Sequence, residues 1–441
     1  MNVQKLIEKA KLAGIETVEV YIQRSEKESI NIYGQKVDSF TIAQSGGISV
    51  RGLYHGKLGY CFLEEDNDDN IDLCIEMIKS NASAIESDDT VKIYEGSKEY
   101  PELESTHLVF ASTQDKIEFL KQIELKLQNS DKRIVQVMST EMETQKVEVQ
   151  IANSLGMNVS RTEEYCVFYS SLLASHDGDN KSAYKIKVTY DITNVNVDEY
   201  VEELKEKVVS KLNAKQVKTG KYSVIMKNEA MSSLLSALTG LFNGENVYKG
   251  ISLLKDKLDT PIFDEKITII DNPLKKDGYA STSFDDEGVA STSKVIVDKG
   301  ILKMFLHNQK SASMMNTVST GNGFKSGYAS SVGIRPTNFY IEPSDCSFDS
   351  LLKEMDNGLI IDELNGLHAG LNPITTDFSL QASGFVVENG EIVRPVNLIT
   401  VASNFLEMMK QVKGIANDSH DSLSGVGSPS ILFEELSISG E

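Results

Sequence analysis

The stretch Tyr222-Ser223-Val224-Ile225-Met226-Lys227-Asn228-Glu229-Ala230-Met231, continuing to Gly250, carries the change of period on which the reading of this chain turns. Residues 222–226 form a short apolar run. After Lys227-Asn228, the residues Met231, Leu234, Leu235, Leu238, Leu241 and Phe242 recur at three- and four-residue steps, which puts them on one face of a helix. Asn228 suits the N-cap, because its side-chain oxygen can accept from the free amides of the first turn. Gly244 suits the left-handed residue that ends a helix. A strand feeding a helix is where many enzymes place catalytic or metal-binding groups, and here those positions hold Asn228, Glu229 and Ser233, with no histidine.

On the N-terminal side of this junction the pattern is α+β. Residues 2–13 read as a helix, and from Thr17 the period becomes two, with Val18, Val20 and Ile22 alternating with polar residues as in a half-buried strand. Further strands are expected at 29–33, 36–43, 48–54 and 57–62. Gly34-Gln35, Ser45-Gly46-Gly47 and His55-Gly56 supply turn chemistry between them. Connections this short fit an antiparallel meander. A second block follows: a helix over 114–128, strands over 134–140, 146–153, 159–175 and 183–191, and a helix over 198–212. In that last helix Glu203 and Lys207 form a favourable i, i+4 pair. We therefore expect an N-terminal α+β domain over 1–220, in two blocks of about 1–107 and 108–220. Both blocks run helix then meander, but too few residues match to establish an internal duplication. Between Phe62 and His107 lie 14 Asp and Glu against 3 Lys, a net of −11, which reads as a solvated acidic connection over about 86–106.

On the C-terminal side, a Ser/Thr/Gly-rich region of short strands begins near Lys266. Its turns include Asp271-Asn272-Pro273, Asp298-Lys299-Gly300 and Glu388-Asn389-Gly390, and one clear helix is expected around 347–356. The fold class is α+β, with a mostly antiparallel β domain over 221–441.

With 441 residues, more than one core is expected. The net charge of −21 and the lack of a Lys/Arg-rich run argue against direct nucleic-acid binding. No apolar run reaches the roughly 20 residues of a membrane span. The first residues lack the pattern of a signal peptide, so cytoplasmic residence is the default expectation. The four cysteines, Cys61, Cys74, Cys166 and Cys346, form no C-x-x-C pair, and the six histidines stand singly. There is no G-x-S-x-G. Gly321-Asn322-Gly323-Phe324-Lys325-Ser326-Gly327 is one residue too long for a dinucleotide fingerprint and reads as a flexible loop. Asp285-Asp286-Glu287 could bind a hard cation or share a proton. They could equally form an Asx-type turn with solvated side chains, and the spacing favours the turn.

Several segments together resemble the TldD/PmbA family, first described as modulators of DNA gyrase. They are Ser45-Gly46-Gly47-Ile48-Ser49-Val50-Arg51, Phe284-Asp285-Asp286-Glu287-Gly288, Ser319-Thr320-Gly321-Asn322, Asp377-Phe378-Ser379 and Gly427-Ser428-Pro429-Ser430, so the resemblance spans nearly the whole chain. In that family the TldD branch resembles a metallopeptidase, with H-E-x-x-x-H on the helix after a strand and a cysteine near the C-terminus as zinc ligands. Zinc lowers the pKa of its bound water to about 7, which supplies hydroxide for attack on a peptide. The PmbA branch, also called TldE, lacks those ligands and pairs with the catalytic subunit. The assembly is associated with trimming unfolded peptides, including maturation of a peptide antibiotic and degradation of an antitoxin.

The resemblance places this chain in the PmbA branch. Asn228 and Ser233 stand where the histidines would be, Glu229 stands where the glutamate would be, and Cys346 precedes Gly427-Ser428-Pro429 by about eighty residues. It implies no catalytic residue and no metal in this chain, zinc in a TldD-like partner, a heterodimer with that partner or a homodimer in isolation, and unfolded peptide as substrate. Two other readings stay open: an independent peptidase using Glu229 with Asp285, Asp286 and Glu287, and a gyrase-modulating binding protein. Thr376 stands where the family usually has glycine before Asp-Phe-Ser.

Overall fold

A computed structural model describes residues 1–65, 67–86, 92–103 and 108–441. The residues between these ranges include His107 and parts of the acidic connection expected over 86–106, so those readings lie outside the described residues.

Six long strands, β1 (Thr17–Tyr33), β2 (Lys36–Tyr54), β3 (Lys57–Leu63), β4 (Ile134–Asn153), β5 (Asn158–His176) and β6 (Asp179–Thr189), form one antiparallel sheet in the order β3-β2-β1-β4-β5-β6. The two sequence blocks contribute three strands each and are joined by the β1–β4 ladder, which runs from Glu19 opposite Asn153 to Ile32 opposite Thr140. Helices Val3–Leu12 and Ile71–Ser83 cover the first block through Leu6, Ile7, Ala10, Cys74, Ile75 and Ile78. Helices Thr113–Gln128 and Val197–Val209 cover the second through Phe119, Leu120, Ile123, Tyr200, Leu204 and Val208. The hairpins turn at Gly34-Gln35, His55-Gly56 and Asp177-Gly178, both residues of each having positive φ, which is the turn that matches strand twist.

Ser45-Gly46-Gly47 is not a turn. It lies inside β2, with Gly46 opposite Arg24 and Gly47 opposite Gln23. Its glycines serve close approach: a Cβ on Gly46 would sit 2.4 Å from the Gln23 carbonyl oxygen, and one on Gly47 would sit 2.4 Å from the Tyr328 ring. Turn chemistry and backbone proximity both select glycine, and the sequence alone does not separate them.

The C-terminal half is organised around β7 (Gly220–Met226). It pairs in parallel with Gly358–Asn365 and antiparallel with Ile431–Ser439. From Gly358–Asn365 the pairing continues to Asp377–Glu388 and Glu391–Asn404, and Glu391–Asn404 pairs back onto Ile431–Ser439, which closes the sheet into a five-stranded ring. The pairings are mostly antiparallel, as expected. Among the strand ladders the exceptions are β7 with 358–365 and Phe339–Ile341 with Val426–Ser428, two parallel contacts made by segments far apart in the chain. Met231, Leu234 and Leu235 of the helix Asn228–Ala237 join Val224, Met226, Leu359 and Phe433 in the largest core. That helix stops at Ala237, short of Gly244, which instead opens a further short helix, Gly244–Tyr248. A Cβ on Gly244 would lie 2.2 Å from the His307 ring, so packing selects the glycine.

Thr376 has φ +65° and is fully buried, and its Oγ1 has no hydrogen-bond partner. A β-branched residue in this region is strained by about 1–2 kcal/mol, and an unmet buried hydroxyl adds to the cost. The glycine usual in the resembling family would remove both. Thr376→Gly is therefore expected to stabilise the protein by about 1 kcal/mol, less whatever the buried methyl contributes. A urea midpoint that moves down would sink this assignment.

Candidate functional site

The helix Asn228–Ala237 begins where β7 ends, and its N-terminus is enclosed by the last segments of the chain. Lys227, not Asn228, occupies the N-cap, and it makes no side-chain cap hydrogen bond. Asn228 is the first helical residue and its side chain is directed to tertiary partners. Its Nδ2 donates to the Asp418 carbonyl at 2.6 Å, and its backbone N–H donates to Ser430 Oγ at 3.1 Å. The Asp418 carboxylate in turn accepts from Ser430 N–H at 2.8 Å and from Ser430 Oγ at 2.7 Å. The closing Gly427-Ser428-Pro429-Ser430 segment thus packs directly on the start of this helix.

Glu229 points the other way, toward the N-terminal half, and its Oε2 accepts from Lys207 Nζ at 2.6 Å. Burial pushes its carboxyl up, but the Lys207 charge and hydrogen bond outweigh this and hold it below its ordinary range. The i, i+4 pair expected between Glu203 and Lys207 does not form. Lys207 takes Glu229, and Glu203 pairs with Lys185 of β6. Both partners became available only when the helix Val197–Val209 packed between β6 and the C-terminal half. Burial, with Lys187 adding to it, pushes the Lys185 ammonium down to about 8. His420 stands near Glu229, and its imidazole is pushed down by burial while the Glu229 charge opposes the shift.

Ser233 Oγ donates to the Glu229 carbonyl at 2.9 Å, one turn back on its own helix. These side chains do not fit a zinc ion: Asn228 uses its amide as a donor, Ser233 is back-bonded, and Glu229 is tied to an ammonium. Among the described residues, no group of three or more His, Cys, Asp or Glu is placed to hold a metal. Cys346 sits in the turn before the helix Phe348–Met355, its Sγ against the Ser347 carbonyl.

Asp285, Asp286 and Glu287 form a separate cluster, whose hydrogen-bond and ion-pair partners do not include Lys207, the partner of Glu229. The local Asx geometry expected for the turn is present, with Asp285 Oδ1 accepting from the N–H groups of Glu287 at 3.0 Å and Val289 at 2.9 Å. The expectation of solvated side chains is overturned, since the three residues are 0, 3 and 1% exposed. Docking of the turn against the N-terminal sheet buries them, and two arginines of that sheet supply the countercharge. Arg51 of β2 forks onto Glu19 at 2.7 and 3.2 Å and reaches Glu287 at 3.3 Å. Arg161 of β5 bridges Glu163 at 2.9 Å and Asp286 at 2.7 Å. Gly323 N–H donates to Asp285 and Lys325 N–H to Asp286, each at 2.8 Å, and Gln309 N–H donates to Glu287 at 2.7 Å.

Asp285 lacks an arginine of its own. Burial, and next the Glu287 charge, push its carboxyl up to about 8 against the three N–H donors. Burial also raises Glu287, with Arg51 opposing. The loop 321–327, expected to be flexible, is built into this site: Asn322 is fully buried, donating to Asp271 at 2.8 Å, and a Cβ on Gly323 would meet Glu287 Oε2 at 2.7 Å.

Sequence reasoning singled out the acidic turn but missed Glu19, Arg51, Arg161 and Lys207. A charged residue inside an apolar strand, as Glu19 is between Val18 and Val20, was the available signal for the first of these.

Comparison with known proteins matches three consecutive families of domain to this chain. These are the PmbA/TldA metallopeptidase domain 1 over residues 18–82, the central domain over 107–213 and the C-terminal domain over 219–440. Metalloprotease PmbA of Escherichia coli O157:H7 is 32% identical over 346 residues, covering 77% of this chain and 73% of that protein. A metalloprotease PmbA homolog of Buchnera aphidicola subsp. Baizongia pistaciae is 34% identical over 326 residues, covering 74% and 70%. The crystal structure of a putative modulator of a DNA gyrase from Thermotoga maritima superposes with a TM-score of 0.91 at 32% identity, over 99% of both chains. TldE from Thermococcus kodakarensis shares the fold with the same TM-score at 23% identity, over 99% of both chains. The chain belongs to the PmbA/TldE family of metallopeptidase-related proteins.

Proposed function

We propose that this chain is the non-catalytic or regulatory subunit of a TldD/TldE-type peptidase, working in the cytoplasm on unfolded peptides. The observation that carries the reading is the state of the helix Asn228–Ala237. At its first turn, the side chains that would have to bind a metal and activate water are committed to Asp418, Lys207 and the helix backbone. The scaffold is retained and the metal chemistry is not. Zinc and the hydrolytic water belong to a TldD-like partner, and this chain completes the enclosure around an extended peptide.

Co-expression with a TldD-like chain tests this. A stable complex is expected, with peptide cleavage that needs both chains. Glu229→Gln in this subunit is expected to leave the cleavage rate of the complex unchanged. Loss of a general base slows a reaction by about a hundredfold or more, so a fall of that size would assign catalysis to this chain. A partner that cleaves at full rate alone, without forming a complex, would overturn the proposal.

A further inference from the structure

The helix Ile71–Ser83 lies closer to β3 than a side chain at Gly59 would allow. A Cβ there would sit 1.9 Å from the Ile78 carbonyl oxygen. Asn81 Nδ2 fastens the same helix to the strand, donating to the Tyr60 carbonyl at 2.7 Å. So close an approach lets short side chains of helix and strand touch, and three of them end in sulfur. The Cys74 thiol donates to the Cys61 sulfur, and Cys61 Sγ donates on to Met77 Sδ at 3.8 Å. Cys74 and Met77 stand three residues apart, on one face of the helix, and Cys61 meets them from β3. Both thiols are fully buried, while Met77 is 36% exposed and opens the group to solvent.

We propose that Cys61, Cys74 and Met77 form a site for a soft monovalent cation, Cu(I), held by three sulfurs. Metal–sulfur bonds of about 2.3 Å in a trigonal plane place the sulfurs about 4 Å apart, close to the spacing already present. Two thiolates and a thioether select Cu(I) among the available metals. Zinc almost always takes four ligands and draws them from thiolate, imidazole and carboxylate. The acids nearest on this helix are engaged elsewhere, Asp72 with Lys9 at 2.7 Å and Glu76 with Lys79 at 3.3 Å. Binding releases the two thiol protons to solvent and leaves the oxidation state of the copper unchanged. The loaded site carries one negative charge. Cys74 lies in the first turn of its helix, where the free amides favour an anion. The ion enters past Met77, the one ligand at the surface. None of these residues takes part in the reading of the 228–237 helix, so either proposal can fail without the other.

Anaerobic titration of the reduced full chain with Cu(I), against bicinchoninate as competitor, is expected to load one copper per chain. The titration uses a Cys346→Ser background, because that thiol is partly exposed and lies in the other half of the chain. X-ray absorption of the loaded protein is expected to show three sulfur neighbours and no nitrogen or oxygen. Cys61→Ala and Cys74→Ala are each expected to abolish loading. Met77→Leu, a change of similar volume at a position open to solvent, keeps the fold and is expected to weaken binding at least about tenfold, the smallest loss usual even for a group behind a ligand. It is expected to leave peptide cleavage by the complex with a TldD-like chain unchanged. No copper held against the competitor, copper retained by the alanine variants, or equal affinity in Met77→Leu would overturn the inference. Zinc held in preference to Cu(I), or a Cys61–Cys74 disulfide forming in a chain that takes up no copper, would assign the thiols to other chemistry and overturn it equally.

Discussion

Arg51→Met is expected to destabilise the protein by about 3–5 kcal/mol, the usual consequence of removing one partner from a buried charge cluster. Arg51 lies between Glu19 and Glu287, and the three side chains are 7, 3 and 2% exposed. Burial alone would lower the guanidinium's affinity for its proton, but the Glu19 and Glu287 charges reverse that and hold it fully ionised. Methionine fills much of the same volume, so the loss reports the charge more than a cavity. It leaves Glu19 and Glu287 buried without their counterion, beside an Asp285 whose carboxyl is itself pushed up by burial and by the Glu287 charge. Adding Glu19→Gln to Arg51→Met is expected to recover part of the loss, because one unpaired carboxylate is then gone. A denaturant titration showing less than about 1 kcal/mol for Arg51→Met would mean that water reaches the cluster and screens it as it does a surface pair. Because Glu287 belongs to the C-terminal half and Glu19 to the first strand, the variant is also expected to loosen the docking of the two halves. Faster proteolysis between them would report that.

Stability is expected to fall as the pH rises from 7 to 8, with a slope of up to about 1.4 kcal/mol per pH unit from a single group. The group is Asp285. Its carboxyl has an ordinary value near 4 in an unfolded chain and is pushed up to about 8 in the fold by burial and the Glu287 charge. Between those values the native state binds a proton that the unfolded state has lost, so the contribution is fully present below about pH 4 and is lost as pH rises through 8. Other shifted groups border or enter this window, and Glu287, raised by burial with Arg51 opposing, acts in the same direction as Asp285. His307, pushed down to about 4 by burial, and His420, also lowered, give stability that rises with pH, but only up to the ordinary histidine range near 6.5. Lys185 and Lys325, both pushed down to about 8 chiefly by burial, begin to lose their protons in the native state within the window and oppose the trend increasingly toward pH 8, so the fall is steepest near pH 7. Carboxyls held low, such as Glu229, are ionised in both states throughout. Chemical denaturation at several pH values between 7 and 8 measures the slope. A flat or rising profile near pH 7, before the two lysines begin to titrate appreciably, would show that Asp285 carries its charge in the native state.

Much of the fold was legible because it rests on local periodicity. The alternation of Val18, Val20 and Ile22, the three- and four-residue spacing of Met231, Leu234 and Leu235, and the paired glycine turns at 34–35 and 55–56 each state their element within a few residues. Misreadings fell where a residue type serves two physical ends. Gly46 and Gly47 suit a turn by residue type and are points of close approach, and Gly244 suits a helix end and faces His307. Asn228 suits a cap by residue type, and its side-chain oxygen does accept from the Glu229 N–H at 2.7 Å, but Lys227 holds the cap position and Asn228 is anchored by Asp418 and Ser430, some two hundred residues away.

By itself, then, the sequence determined the α+β class, the strand-helix junction at 222–237, the family to which the chain belongs, and the identities of Asn228, Glu229 and Ser233. Those follow from residue type and short-range spacing, which are properties of the chain before it folds. Only the tertiary structure decided that Glu19 and Tyr21 on the polar face of β1 are also buried, that the acidic turn at 285–287 is buried rather than solvated, and that Lys207 answers Glu229 rather than Glu203. The physical reason is the same in each case. Burial and ion pairing depend on which surfaces dock, and docking joins residues as far apart as Arg51 and Glu287, whose mutual attraction leaves no mark on the sequence near either one.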